Sequence, residues 1–132
     1  MKRLTIICFL ITSLSFSQEQ EKKEAPWNVM YPEFMAKEAA EYFDEFNMLW
    51  SDESPIDAKE GRLVAIAVSA AIRCEYCIAA QIEFAKKAGA TDDEIKAAIQ
   101  IAAEIQRFST LLYGNEFDVE TFNKIIGRDN KE

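Results

Sequence analysis

The sequence contains no histidine, and this absence limits the chemistry that the chain can perform. Histidine is the side chain whose ordinary pKa lies closest to neutral pH, so any acid/base step must depend on another group. Cysteine occurs only three times, which leaves too few Cys and His ligands for a four-coordinate zinc site. We therefore predict no metal and no other bound cofactor.

The apolar run at the N-terminus is too short to cross a bilayer as a helix. Leu4–Leu14 has about eleven residues, whereas a span needs about 20. Lys2 and Arg3 precede this run, and small residues follow it at the spacing of a cleavage site, which is the plan of a secretory signal peptide. We predict that residues 1–17 are removed together with Cys8 and that the mature protein is exported, periplasmic or secreted. The alternatives are a membrane anchor and a buried first helix.

Positive charge is also scarce. The chain has 15 Lys and Arg against 23 Asp and Glu, a net charge of −8, and loss of Lys2 and Arg3 removes two more positive charges. Such an acidic chain lacks the electrostatic footprint of a protein that binds nucleic acid or anionic lipid. We predict no nucleic-acid partner and, after signal removal, no membrane partner.

Strand signals are weak, and the apolar spacing is helical throughout. Apolar residues recur every three or four positions, which is typical of amphipathic helices. Asp57 with Glu60 and Thr91 with Glu94 predict capped helix starts, and Gly89 predicts a left-handed helix end. We predict an all-α fold of about five helices. The predicted helices are Glu33–Trp50, Ala58–Ile72, Cys74–Ala88, Asp92–Tyr113 (ended by Gly114) and a short last helix from Asp118 to Ile126.

These elements predict one helical domain at residues 33–127, preceded by a flexible leader at residues 18–32 and followed by a charged tail at residues 128–132. Within the leader, residues 27–32 are predicted to form a loop. The predicted helix at residues 92–113 has two apolar stripes, where a surface helix needs only one. The second stripe predicts either contact with another subunit or an unusually central helix. The first stripe comprises Ile95, Ala98, Ile99, Ala102 and Ile105, and the second Ala97, Ile101, Phe108, Leu111 and Leu112.

Cys74 and Cys77 occupy the start of the predicted third helix, three residues apart on one face. At this spacing the two sulfurs can form a disulfide. The free N–H groups and the positive dipole end of the helix stabilise a thiolate there, and the charge of Arg73 acts in the same direction. The pattern favours a redox dithiol. A structural disulfide, part of a metal site and plain core packing remain as alternatives.

The segment from Lys59 to Ile105 resembles the carboxymuconolactone decarboxylase-like domain and, within it, the alkylhydroperoxidase D-like branch. The matching features are the apolar helix, the CEYC helix start, the AGAT turn and the spacing of Glu94–Ala102. Residues 106–122 resemble a continuation found in some members. The resemblance covers about half of the chain strongly, and the whole combination carries it, because a Cys-x-x-Cys pair alone is a weak signal.

This resemblance implies an all-α homo-oligomer, a trimer or hexamer, that reduces peroxides with thiols. In such proteins one thiolate attacks the O–O bond, the resulting sulfenic acid condenses with the second cysteine, and an external reductant restores the dithiol. The better-known members imply Cys77 as the attacking residue and Cys74 as its resolving partner. The implied partners are a peroxide substrate and an external dithiol or thioredoxin-like reductant.

Two positions depart from the pattern of the family. Gln81 stands where the family has a histidine, and Arg62 stands where it has a glutamate. Histidine and glutamate would shuttle protons, whereas glutamine does not titrate and arginine stays protonated. Glu60 is a candidate substitute acid/base, although two residues along a helix point about 200° away. We hypothesise a peroxidase or disulfide oxidoreductase, with a weakened, disulfide-stabilised binding or assembly protein as the alternative.

Overall fold

The computed structural model describes residues 26–128. The predicted signal peptide at residues 1–17, residues 18–25 of the leader and residues 129–132 of the tail lie outside the described residues. Their assignments stay predictions. Among residues 26–128, no helix has the length and apolar character that a membrane crossing requires.

The chain divides into two compact units, Met1–Ala40 and Glu41–Glu132. The described part of the first unit contains two short 3-10 helices, Pro26–Met30 and Glu33–Met35, and the first residues of helix α1. The second contains the rest of α1 and all later helices. No strand occurs within residues 26–128, so the predicted all-α fold is confirmed. The five α-helices are α1 (Ala36–Met48), α2 (Ala58–Ala71), α3 (Glu75–Lys87), α4 (Asp92–Gly114) and α5 (Val119–Ile125).

Helix α2 packs against both α3 and α4, and this contact forms the core of the second unit. Ile66 is the one large side chain that is fully buried among the described residues. Four of the residues packed around it are alanines, so the three helices approach closely there. The other members of the core cluster are Ala85, Ala90, Ile95 and Ala98, with Leu63, Ala67 and Ile82 partly buried against them.

The ends of the helices follow the predicted capping signals in most places. The side chain of Asp57 accepts a hydrogen bond from the Glu60 amide (2.9 Å), and Thr91 and Glu94 form a complete capping box. Gly89 takes the predicted left-handed conformation, with φ of +89°. These caps satisfy N–H and C=O groups that helix ends otherwise leave without partners.

Three predicted features differ from the structure. The helix predicted at Glu33–Trp50 is α-helical only from Ala36 to Met48, and the predicted loop contains the 3-10 turn Pro26–Met30. Gly114 does not end α4, because it is itself helical and the left-handed residue is Glu116, with φ of +49°. The amide of Phe117 then closes the helix on the Leu112 carbonyl (2.9 Å). The motif that ends α4 needs its left-handed residue at position 116, two residues after Gly114.

The two apolar stripes of α4 have different surroundings. Ile95, Ala98 and Ala102 of the first stripe are buried, but Ile105 is 66% exposed, so that stripe faces the core only as far as Ala102. The reason is the length of α2, whose last residue, Ala71, accepts a hydrogen bond from the side chain of Gln106 (2.6 Å). Because α2 ends here, the part of α4 after Gln106 has no residues of α2 to pack against. The second stripe is largely exposed, so α4 is not a central helix of this chain.

Candidate redox site

The connection between α2 and α3 sets the position of Cys74. Arg73 adopts a left-handed conformation, with φ of +58°, although it is not a glycine. The Arg73 amide bonds to the Ala70 carbonyl (3.2 Å) and the Cys74 amide to the Ser69 carbonyl (3.0 Å), which together form a Schellman motif. Ser69 is itself buried. Cys74 is therefore the last residue of one helix-ending motif and the first residue of the next helix start.

Cys74 is the N-cap of α3, and its sulfur accepts a hydrogen bond from the Cys77 amide (3.3 Å). The two residues are joined by a disulfide, and their Cα atoms lie 5.2 Å apart. Both are half-buried, so the pair lies at the surface of the helical core and not within it. A thiolate accepts an amide hydrogen bond more strongly than a neutral sulfur does, so this site favours the negatively charged form of the reduced Cys74.

The structure brings Arg62 and Gln81 together. Nη1 of Arg62, on α2, donates a hydrogen bond to Oε1 of Gln81, on α3, at 2.9 Å. Gln81 lies one helical turn beyond Cys77, about 6 Å along the axis of α3. Burial lowers the pKa of the Arg62 guanidinium below its ordinary value, and the group remains protonated at neutral pH. The pair therefore places a fixed positive charge, and no titrating group, about one helical turn beyond Cys77.

Two aromatic rings hold the Arg62 guanidinium in place. Its central carbon lies 3.7 Å from the centroid of the Trp50 ring and 4.7 Å from that of Phe84. Gly61 allows the indole to approach α2, because a Cβ atom there would lie 3.2 Å from Cζ3 of Trp50. The Trp50 ring also meets Phe46 edge-on at 5.8 Å. Contact with two aromatic rings restricts the movement of the guanidinium.

Glu60 does not join this group. It lies exposed in the first turn of α2, and no hydrogen bond or ion pair links its carboxylate to Arg62 or Gln81. The two other titrating side chains near the disulfide, Glu75 and Tyr76, are exposed in the first turn of α3. Within residues 26–128, no cluster of three or more His, Cys, Asp or Glu side chains is arranged to hold a metal ion.

The sequence patterns did not reveal the roles of Trp50 and Phe84. The sequence places Trp50 only on an apolar helix face and Phe84 only within the predicted third helix, because contact with a cation leaves no mark in helical periodicity. Gly61 was the available signal, since an isolated glycine inside a helix often marks a close approach. The pairing of Arg62 with Gln81 could have been inferred, because both replace the relay residues of the family that the sequence resembles.

Comparison with known proteins identifies the family of this chain. Residues 37–116 match the model of the carboxymuconolactone decarboxylase family, and this segment includes the disulfide, Arg62 and Gln81. Uncharacterized protein 4 in cox locus, from Paracoccus denitrificans, is 30% identical over 64 residues, which are 48% of this chain and 58% of that protein. The match thus spans less than two thirds of that relative. No solved structure matches the chain. The extent of the family match establishes that this chain belongs to the carboxymuconolactone decarboxylase family.

Proposed function

We propose that the protein is a thiol-dependent peroxidase that cycles between the Cys74–Cys77 dithiol and the disulfide. The observation that carries the proposal is the position of the pair, with the Cys74 sulfur capping α3 and accepting the Cys77 amide. Membership of a family that includes thiol peroxidases supports it. Helix starts of this kind stabilise thiolates, and the half-buried sulfurs lie within reach of small molecules.

The proposed reaction needs only the two cysteines and an external dithiol. The Cys77 thiolate attacks one oxygen of the hydroperoxide, the O–O bond breaks, and the alkoxide takes a proton from water. The Cys77 sulfenic acid then condenses with Cys74 and releases water as the disulfide forms. A dithiol reductant supplies two electrons and two protons, so the net change is hydroperoxide plus dithiol to alcohol, water and disulfide.

In the chemical step, Arg62 acts through its charge and not by proton transfer. A positive charge near Cys77 favours the thiolate over the thiol, but it neither accepts nor returns a proton. Gln81 cannot titrate either, so water must protonate the leaving oxygen. We therefore expect peroxidase activity that depends on the cysteines and is slower than that of relatives with a histidine and a glutamate at these positions.

The alternative is a non-catalytic member in which the disulfide only stabilises the fold, and the lack of a titrating relay favours it. The size of the closed loop argues against it. A disulfide stabilises mainly by restricting the unfolded chain, and for a loop of about four residues the gain is only about 2 kcal/mol. Cys74 and Cys77 are also already held together by the cap of α3. A structural bridge would gain more by joining distant segments.

We further propose that the protein is exported and forms a homo-oligomer, a trimer or hexamer, that an external dithiol or thioredoxin-like protein reduces. The short apolar run and cleavage signal of residues 1–17 support export. The exposed apolar side chains of α2 and α4 support assembly, because contiguous apolar surface on one chain marks an interaction site. No nucleic acid is expected as a partner, since the net charge is −8.

The test is the initial rate of hydroperoxide loss under one fixed dithiol reductant. The wild type, Cys74→Ser and Cys77→Ser are compared at equal concentration. We expect Cys77→Ser to be inactive and Cys74→Ser to react once and then stop. Equal rates in all three proteins would refute the proposal and leave the structural disulfide as the explanation.

A further inference from the structure

The side chains around Arg62 form a cluster of hydrogen-bond donors. The guanidinium has five N–H groups, and its one side-chain hydrogen bond within the described residues goes to Gln81. That bond uses the amide oxygen of Gln81 and leaves its NH₂ group available. Nε1 of Trp50 is buried and has no acceptor within the described residues. Three neighbouring side chains thus offer donors, and the single acceptor among them is already occupied.

No carboxylate of the described residues neutralises this cluster. The ion pairs within residues 26–128 involve other basic side chains, and Arg62 forms none. The nearest ion pair along α2 is that of Lys59 with Glu94. A half-buried guanidinium without a counter-ion is unusual in a chain with a net charge of −8, because partly buried charges are normally paired.

We propose that Arg62, Gln81 and Trp50 form a subsite for a carboxylate, and that the substrate is a hydroperoxide that carries this group. The inference rests on the proposed peroxidase function and names its substrate class. A planar guanidinium fork matches the two oxygens of a carboxylate, and the Gln81 amide adds a donor at its side. Trp50 provides the aromatic surface against which the fork is held, and its buried Nε1–H has no acceptor among the described residues.

The position of Gln81 on α3 limits the shape of the substrate. One helical turn, about 6 Å along the axis, separates Gln81 from Cys77. A molecule that places its carboxylate at Arg62 and its O–O bond at Cys77 needs several bonds between the two groups. Short-chain hydroperoxy acids fit this separation, and the neutral esters of the same acids lack the charge that the subsite recognises.

Binding can be measured without turnover. The chain has two tryptophans, so Trp27→Phe leaves Trp50 as the only indole fluorophore. Hexanoate and 1-hexanol are the probes, since they differ in charge and share a chain length. We expect saturable quenching by hexanoate, weak or no response to 1-hexanol, and a loss of hexanoate affinity of about 10- to 100-fold in Arg62→Met. Lys59→Met, which removes a positive charge from the same helix, is the control and should keep the wild-type affinity.

Kinetics test the assignment to the peroxide. The kcat/KM of a short-chain hydroperoxy acid is compared with that of its methyl ester under a neutral dithiol. We expect Arg62→Met to lower the acid-to-ester ratio by about 10-fold or more and Lys59→Met to leave it unchanged. An equal loss for acid and ester would show that Arg62 acts on the thiolate or the reacting oxygens and not on the carboxylate, and the proposal would fail. The carboxylate that the subsite binds could instead belong to the reductant. A carboxylate-bearing dithiol and its neutral amide are therefore compared as reductants. A preference confined to that pair would contradict the assignment to the peroxide.

Different results would refute the peroxidase function and the carboxylate subsite. Hexanoate binding without any peroxide turnover would refute the proposed function and keep the carboxylate subsite. Cysteine-dependent turnover with equal use of acid and ester would do the reverse. If Arg62→Met does not fold, the affinities of the protein with Arg62 for hexanoate and 1-hexanol still test the subsite. Equal affinity for the two probes would overturn it.

Discussion

In the proposed mechanism, the side chains at positions 62 and 81 leave the protein without a titrating proton relay. Arg62 donates to Gln81 at 2.9 Å, so the two positions at which the family places a glutamate and a histidine do face each other. The geometry of a relay is present, but both members that would titrate are replaced. A histidine placed alone at position 81 would meet the positive charge of Arg62, which disfavours its protonated form.

We therefore expect strong non-additivity between changes at these two positions. Gln81→His alone should raise the rate of hydroperoxide reduction only a few-fold. Arg62 would donate its hydrogen bond to the imidazole nitrogen that has to accept the proton of the thiol. Arg62→Glu alone should lower the rate, because a negative charge disfavours the thiolate. The double variant should gain about 100-fold, the lower range of positioned acid/base catalysis. Initial rates under one reductant measure all four proteins.

The result that would contradict this reading is additivity. If the double variant performs as the product of the two single changes, then positions 62 and 81 do not act as a unit. A Cys77→Ser change added to the double variant is the control, since any gain that survives it does not pass through the thiol.

At the scale of elements, the turn between α2 and α3 holds the cysteine pair at the cost of backbone strain. Arg73 lies in the left-handed region, where a side chain with a Cβ atom is disfavoured by roughly 1 kcal/mol. Glycine occupies the corresponding position after α3, at Gly89. The two Schellman motifs thus have the same hydrogen bonds and different residues at the strained position.

Arg73→Gly should raise the free energy of unfolding by about 1 kcal/mol, because glycine adopts this conformation without the Cβ clash. Urea unfolding of the disulfide-intact proteins measures the effect. Arg73→Ala is the matched control, since it removes the same charge and keeps the Cβ atom, and it should not be stabilising. Equal stabilisation by both variants would assign the effect to charge instead of backbone conformation.

The start of α4 is predicted to be sensitive to acid. Hydrogen bonds from the Thr91 amide and the Lys59 side chain lower the pKa of Glu94 from 4.5 to about 2. The folded pKa lies below the unfolded one, so this contribution is complete above pH 4.5 and is lost as the pH falls towards 2. Glu94→Gln should lower the Tm at pH 7, and its difference from wild type should shrink steadily below pH 4.5.

Asp93→Asn is the control for that series. It removes a carboxylate from the same helical turn, but the Asp93 side chain is 94% exposed and pairs only with exposed Lys96. Its difference from wild type should stay small at every pH. A Glu94→Gln difference that is constant from pH 7 to pH 3 would show that the charge of Glu94 does not contribute.

At the scale of the molecule, one chain leaves much of its apolar surface uncovered. Val68 on α2 and Ile72, the C-cap of α2, are 55% and 67% exposed, and Ile101 and Ile105 on α4 are 60% and 66% exposed. The two helices pack against each other, so these side chains belong to neighbouring elements. A fold in which Ile66 is the one large side chain fully buried among the described residues gains stability when a second copy covers such a surface.

Ile105→Glu should therefore shift the protein from an oligomer towards a monomer. A buried, unpaired carboxylate at an interface is strongly unfavourable, whereas on an open surface it is tolerated. Light scattering at micromolar concentration measures the mass. Val119→Glu, at an exposed apolar residue of α5, is the control and should leave the assembly intact. A wild-type protein that is already monomeric would refute the prediction.

The helices could be predicted from sequence because their signals are local. Apolar spacing located α2 and α4, and the Thr91–Glu94 box marked the start of α4. The left-handed residues Arg73 and Glu116 could not be predicted, since their side chains disfavour the conformation that the chain imposes on them. The contact of Arg62 with two rings depends on residues that are far apart in sequence, and periodicity carries no information about it.

The central claim is that the Cys74–Cys77 pair reduces peroxide, and a single turnover of the reduced protein tests it most directly. Fully reduced protein is mixed with one equivalent of a hydroperoxide without any reductant, and intact mass and free thiols are followed with time. The account predicts that one hydroperoxide is consumed as each chain loses two thiols and the mass of two hydrogen atoms, faster than with an equal concentration of free thiol. Thiols that persist, or that oxidise no faster than the free thiol, would contradict it.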